Sequence, residues 1–377
     1  MKILHLTQSV NPILGGRSIV VKTLAEFQKR SGHKVIIYTM RMKGFPRMEV
    51  IDDLPIVRSP TSTLGNKNIL TKAFYNFLHN AITGKDALLL KLMNKVDIVH
   101  LHGPIYGFRM IPKLYFSPII HAWHKLLKRC RVAKLVTLHG TPKKFNWKIY
   151  DDEMKLADLV TWVVKKLAER FGGLYIPNGV DTEAFKPVIP IRTDRLIICV
   201  PGVITKSKNQ LLVLKALRNV PDEVKNNVRV IFIGSRTYEP VYYLKLLSFA
   251  KKHGIKAIFI GPVTYNLMPK IYNKANLIAL PSMSEGMPLT ILEAMACGRP
   301  VIAMNVGAIG DIITEEVGFV ANTKEEFQTK LAEIALASSY GFLRRMGEKA
   351  RSRAKLFEWS KIVRKYEKAY NMIIGKQ

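Results

Sequence analysis

Two carboxylates in the stretch Pro281 to Pro300 (PSMSEGMPLTILEAMACGRP), Glu285 and Glu293, stand eight residues apart around a helix start. At about 1.5 Å of rise per helical residue they are separated by roughly 12 Å or more. That exceeds the about 5 to 9.5 Å between the paired carboxylates of glycoside-hydrolysing sites, and it suits two parts of one long ligand. Between them the backbone N–H groups around Gly286, Met287 and Leu289 offer an anion such as a phosphate a place to bind; Pro288 has no N–H to contribute. On local sequence alone the stretch reads equally as a capped amphipathic helix with two solvated glutamates. Pro288 suits the first helical position and Gly298 the residue just past the end.

Other chemistry-bearing residues are sparser. His100 and His102, two apart in VDIVHLH, share one face of a strand, but no third ligand type is near in sequence, so structural histidines are the expectation. Gly15 and Gly16 end a loop (NPILGG) where the lack of side chains would let backbone approach a phosphate, although taken alone a glycine pair is better explained by a plain tight turn. No Asp-x-Asp motif is present. Asp52 with Asp53 and Asp151 with Asp152 are adjacent, solvated-looking pairs, and no catalytic metal is expected.

The elements that must position these residues alternate. Lys2 to Gln8 reads as a strand, Arg17 to Arg30 as a helix with Ile19, Val20, Leu24 and Phe27 at helical spacing, and Lys34 to Thr39 as the next strand. Asn68 to Asn94 is predicted helical. Strands follow at Val96 to His102, Leu135 to His139, Leu159 to Val163 and Leu174 to Ile176. Pro187 and Pro190, with Arg192 and Asp194, mark a linker. Beyond it Leu196 to Val200, Val228 to Ile233, Ala257 to Ile260, Leu277 to Leu280 and Val301 to Met304 are short apolar runs alternating with helices, the pattern of a parallel sheet. A basic helix spanning Glu348 to Tyr370, with Phe357, Trp359, Ile362, Tyr366 and Tyr370 as a packing stripe, completes the series. Parallel doubly wound sheets bind ligands beyond the carboxyl ends of their strands.

The 377 residues suit two α/β domains: 1–190, 191–355, and a helix 356–377 packing back on the first. Cys130, Cys199 and Cys297 are widely separated and odd in number, which fits buried thiols in a reducing compartment. The start MKILHLTQSV runs straight into a strand without a leader pattern, and no apolar run is long enough to span a bilayer, so a cytoplasmic location is predicted. Charge is the outstanding compositional feature: 59 Lys and Arg against 28 Asp and Glu, a net +31. It is uneven, since residues 101–150 carry ten basic residues and no acid. An anionic partner follows: a phospholipid surface, nucleic acid or a phosphorylated substrate. Within that region Lys113 to Lys134 mixes Tyr115, Phe116, Ile119, Ile120, Trp123, Leu126 and Leu127 with Lys125, Lys128, Arg129 and Arg131. That mixture fits attachment to a membrane surface, and it also fits a helix covering a sheet.

Taken together, Glu285-x7-Glu293 in SEGMPLTILEAMACGRPVIA, Gly15 and Gly16, DIVHLHG from Asp97, TLHGT from Thr137, IPNGVD from Ile176 and the glycine-ended strands of the second half resemble the retaining nucleotide-sugar-dependent glycosyltransferases of family 4. The resemblance covers nearly the whole chain. It implies a GT-B fold, α/β, of two Rossmann-like domains whose parallel sheets face across a cleft. It implies that Glu293 bonds the nucleotide ribose, that Glu285 faces the donor sugar, and that the backbone around Gly286, Met287 and Leu289, with Gly15 and Gly16, contacts diphosphate and sugar. Lys208 matches the family's diphosphate-neutralising lysine, His139 its histidine near the sugar, and Val263 the place where backbone meets the nucleobase. The implied donor is a nucleotide-diphosphate sugar with no cofactor, and the implied acceptor is a carbohydrate or a lipid-linked molecule. Two positions depart from the pattern: Val203 stands where the family commonly has Arg, so that Lys206 would have to substitute, and Gly140 follows His139 where an acid is frequent. Two other classes are compatible with the sequence: a non-catalytic nucleic-acid- or lipid-binding protein on the same scaffold, and a nucleotide-sugar epimerase. No helix-turn-helix or aromatic RNA-binding signature is present, which disfavours nucleic acid.

Overall fold

The short apolar runs build two parallel sheets, one in each of two compact units, in the computed structural model, which describes residues 1–8, 10, 15–42, 44–63, 87–103, 130–141, 147–192 and 194–374. The loop residues 11–14, most of the predicted helix 68–94 and residues 113–129 of the basic stretch 113–134 lie outside the described residues.

The first unit comprises residues 1–177 and 359–377. Its sheet contains β1 (Lys2–Leu6), β2 (Lys34–Met42), β3 (Met48–Ile51), β4 (Leu54–Thr63), β5 (Ile98–Gly103), β6 (Ala133–Leu138), β7 (Leu159–Trp162) and β8 (Leu174–Tyr175), in the order β3-β4-β2-β1-β5-β6-β7-β8. Every described pairing is parallel except β3 with β4. Strand alternation sorts the side chains. Leu4, Leu6, Val99, Leu101, Val136 and Leu138 enter one apolar core with Tyr150 and Trp162. The intervening His5, His100, His102, Thr137 and Thr161 form a polar row on the opposite face, in register across four strands. The helices Gly16–Arg30 and Trp359–Ile374 cover that face.

The second unit comprises residues 178–358. It contains β9 (Leu196–Pro201), β10 (Val228–Ile233), β11 (Ala257–Gly261), β12 (Leu277–Leu280), β13 (Val301–Met304) and β14 (Gly318–Ala321), in the order β11-β10-β9-β12-β13-β14, all parallel. Leu196, Ile198, Val200, Val230, Phe232 and Leu277 meet helices Leu211–Leu217, Pro240–Lys252 and Lys324–Leu336 in one core. The strand order reverses direction between β9 and β12, the position where doubly wound sheets bind ligands.

Three boundaries differ from the sequence expectation. The chain passes between units at Pro177 and Asn178, ahead of the proline pair Pro187 and Pro190. Asn178 already belongs to the second unit, because its side-chain amide donates to the Met287 carbonyl at 2.8 Å. The predicted helix Glu348 to Tyr370 is two helices, Gly341–Ala354 and Trp359–Ile374; between them lie a 3-10 turn, Lys355–Phe357, and an extended Glu358, where the chain returns to the first unit. Pro288 caps the helix Leu289–Ala296 from outside, with an extended ψ of 125°, while Gly298 takes a φ of +67° just past the end.

Candidate active site

The loops after β9 and β12, the two strands at the reversal point, carry Lys208 and Glu285. The Ser207 carbonyl accepts from the Met283 N–H at 2.9 Å, which fastens one loop to the other. Lys208 sits in a turn whose Thr205 carbonyl accepts from Lys208 and Asn209, and Asn209 adopts a left-handed φ of +54°. Across this junction Lys208 Nζ donates to Glu285 Oε1 at 2.6 Å, in an ion pair where Glu285 is only 11% exposed. Sequence reasoning assigned the two residues separately and did not foresee that they would be paired.

The far side of the Glu285 loop is held by Gly307. Its φ is +63°, and a Cβ there would lie 2.2 Å from the Gly286 carbonyl oxygen and 2.4 Å from that of Glu285. The next residue, Ala308, donates its N–H to Gly286 at 2.8 Å. Gly234 serves the neighbouring strand ends in the same way: a Cβ on it would lie 2.2 Å from the Gly202 oxygen. Close approach of backbone thus accounts for the glycine that ends β10, whereas a Cβ on Gly261, at the end of β11, would meet nothing within 4 Å.

Glu293 lies on a helix that is buried nearly all round, so the reading of an amphipathic helix with two solvated glutamates is overturned. The Glu293 side chain is 4% exposed, and its two oxygens accept from Tyr265 Oη at 2.7 Å and Tyr272 Oη at 3.0 Å. Burial raises this carboxyl from 4.5 to about 7, against the opposing pull of the two tyrosine hydroxyls. Neither tyrosine was signalled by the sequence, where aromatic residues beside a helix read as packing. Tyr265 follows half-buried Val263 in the segment after β11, which brings the Val263 region toward Glu293. Met287 is buried, with its sulfur accepting the Asn178 N–H at 3.0 Å; Leu289 is buried and Gly286 half-buried. Lys206 is exposed, and its N–H donates to Glu239 Oε2 at 3.0 Å. The Val203 carbonyl accepts from Gln210 Nε2 at 2.9 Å.

In the first unit Gly15 is the N-cap of the Gly16–Arg30 helix, and a Cβ on either Gly15 or Gly16 would meet nothing within 4 Å. Packing within the described residues therefore does not require glycine there. His139 follows β6, with its N–H on the Gly103 carbonyl at 3.2 Å. Its Nε2 is 3.0 Å from His102 Nδ1, and His102 Nε2 is 2.8 Å from His5 Nδ1. His5 thus supplies the third ring that the HLH pattern lacked, arriving from β1 by strand pairing. His5, His100 and His102 hold ligand-type atoms within 4.8 Å of one another, a spacing that would suit a metal ion. Their ring nitrogens are, however, already engaged. His5 Nε2 lies 2.7 Å from Gln28 Oε1, and His100 lies 2.8 Å from Tyr370 Oη and 2.7 Å from Thr137 Oγ1. Burial lowers all four imidazoles, His5 to about 4 and His139 to about 3, with Arg17 adding to the effect at His139. No described helix is long and apolar enough to cross a membrane.

Comparison with known proteins agrees with this layout. The family described as "Glycosyl transferases group 1" matches residues 181–353, and "Glycosyltransferase Family 4" matches residues 14–184. The chain is 24% identical over 380 residues to a D-inositol 3-phosphate glycosyltransferase of Xylanimonas cellulosilytica, covering 92% of this chain and 88% of that one. It is 22% identical over 347 residues to the UDP-Gal:alpha-D-GlcNAc-diphosphoundecaprenol alpha-1,3-galactosyltransferase of Escherichia coli, covering 84% and 82%. Among solved structures, sucrose-phosphate synthase from Thermosynechococcus elongatus superposes with a TM-score of 0.79 at 19% identity over the whole of both chains. Anabaena HepE, in complex with UDP-glucose, gives 0.71 at 16% identity over 99% of this chain and 100% of its own. The fold is therefore of the GT-B class, and the protein is a glycosyltransferase. The two family matches, running end to end over residues 14–353, place the chain in glycosyltransferase family 4.

Proposed function

We propose that the protein transfers a sugar from a nucleotide-diphosphate sugar to a hydroxyl of a lipid-linked acceptor, with retention of anomeric configuration. The observation that carries the reading is the Lys208 to Glu285 ion pair at the reversal point of the second sheet, with the buried Glu293 one helix further on. In this reading Glu293 accepts hydrogen bonds from the ribose hydroxyls, Val263 lies by the nucleobase, and the Gly286 to Leu289 backbone meets the diphosphate. The arriving phosphate draws Lys208 from Glu285, so that the ammonium neutralises the leaving group while the freed carboxylate turns to the sugar. Removing one such charge-stabilising donor costs about 3 to 4 kcal/mol in comparable sites.

The bond from the sugar C1 to the phosphate oxygen breaks. The acceptor oxygen bonds C1 on the same face, and the departing phosphate takes the acceptor proton. Products are the glycoside and a nucleoside diphosphate. Positioning and charge stabilisation do the chemical work, and no protein nucleophile is required. A lipid-linked acceptor at an anionic, cytoplasmic membrane face is supported by the net +31 and by the galactosyltransferase relative, whose name specifies a diphosphoundecaprenol acceptor.

The test is incubation with a panel of nucleotide sugars and lipid-linked acceptors, following nucleoside diphosphate release and the anomeric configuration of the product by NMR. Acceptor-dependent release with a retained anomer is expected. No release and no nucleotide binding with any donor would overturn the reading, and an inverted anomer would overturn its stereochemistry.

A further inference from the structure

Every nitrogen of His5, His100 and His102 has a hydrogen-bond partner, whereas His139 Nδ1 is buried without one among the described residues. The partners form one continuous chain of contacts, and the proton positions in it are coupled. Gln28 presents its oxygen to His5 and its amide nitrogen to Tyr370 Oη, the latter at 2.8 Å. An amide oxygen only accepts, so His5 must carry its proton on Nε2. A neutral His5 then accepts at Nδ1, which makes His102 the donor from Nε2 and the acceptor at Nδ1. His139 in turn donates from Nε2, leaving its Nδ1 as a bare lone pair. On the other side Tyr370, having accepted from Gln28, donates to His100 Nδ1, and His100 donates onward to Thr137 Oγ1. Each ring-to-ring contact holds a single proton, so reversing one link reverses the whole chain.

Two observations favour this sense over the reverse. Reversal would leave a buried N–H on His139 without an acceptor, a rarer and costlier arrangement than an unused lone pair. Arg17 acts electrostatically on both His139 and His102, and a nearby cation favours a lone pair over an N–H dipole.

We propose that Gln28 and Tyr370 are positioning residues. Through His5 and His102 they fix the tautomer in which His139 meets its ligand with an unprotonated, hydrogen-bond-accepting Nδ1. The ligand group this tautomer selects is a neutral donor such as a hydroxyl, and it rejects phosphate or carboxylate oxygens, which have no proton to offer. Identifying that hydroxyl as one on a sugar rests on the transferase reading above; the tautomer itself does not.

The experiment is imidazole 15N NMR on the full chain between pH 6 and 8, comparing wild type with Tyr370→Phe and Gln28→Leu. In the wild type His5, His102 and His139 are each expected as the Nε2–H form. Tyr370→Phe removes one oxygen while keeping the ring, so the Gln28 amide loses its orientation and His139 becomes a mixture of tautomers. Because a buried N–H on His139 still disfavours the reversed chain, the Nε2–H form keeps at least half the molecules, and apparent affinity for a ligand donating to Nδ1 falls by no more than about twofold. An Nδ1–H His139 in the wild type, or an unchanged His139 in the folded Tyr370→Phe variant, overturns the inference. If Gln28→Leu does not fold, the wild-type and Tyr370→Phe spectra still decide it. Expected tautomers in a protein that turns over no nucleotide sugar would count against the transferase reading and leave the relay intact.

Discussion

Glu293 makes one carboxyl answerable to two opposite pH dependences. Its folded value of about 7 stands above the ordinary 4.5, so between those values the folded protein holds a proton that the unfolded chain releases. Its contribution to stability is therefore fully present below about 4.5 and is lost as pH rises to about 7, a decline of about 3 kcal/mol. In the proposed function the ribose hydroxyls donate to the ionised form of Glu293, so nucleotide affinity is expected to rise up to tenfold per unit toward pH 7 and then level off. Glu293→Gln should flatten both profiles, as measured by chemical denaturation and by nucleotide titration across pH 5 to 8. At the neighbouring pair, Glu285→Gln is expected to suppress transfer far more than nucleotide binding; equal losses would mean that the sugar end has been assigned to the wrong residue. Lys208→Met is expected to lower turnover by about 100- to 1,000-fold, read from initial rates at saturating donor. The eight-residue spacing of Glu285 and Glu293 was legible in the sequence. The partners that tune them were not, because Tyr265, Tyr272 and Lys208 arrive from turns and helices distant in sequence, and local spacing carries no information about such meetings.

At the scale of elements, the central strands were legible because continuous apolar runs such as VRVIFI and LIICV have few alternatives. Strands β3, β4 and β14 were missed. In β3 exposed and half-buried positions alternate, and β14 is the short GFVA, so neither carries the signature of a buried strand. The C-terminal break at Lys355–Phe357 was also hidden, since no proline or glycine marks it. The loop that places Glu285 depends on Gly307. Gly307→Ala is expected to destabilise the protein by about 1 to 3 kcal/mol and to reduce turnover more than nucleotide binding. Gly254→Ala is the matched control: its φ of +65° imposes the same backbone strain, but a Cβ there meets nothing within 4 Å. Equal effects of the two substitutions on turnover would show that the contact with Gly286 and Glu285 is unimportant.

For the whole molecule, charge is the property most open to direct measurement. Flotation with vesicles of anionic lipid, compared with neutral lipid, is expected to show binding only to the former, with release as salt shortens the screening length to about 3 Å at 1 M. Binding that is indifferent to lipid charge would remove the membrane proposal. The helix Trp359–Ile374 adds a constraint of another kind. Its tyrosines complete a polar row that begins on β1, yet all of residues 178–358 lie between them in the chain. During synthesis the second unit, which is continuous, is translated in full before the tyrosine partner of His100 and Gln28 is made. The first unit is thus the earlier to be begun and the later to be finished: residues 1–177 are made first, yet their polar row waits for the tyrosines of a helix encoded after the whole of the second unit.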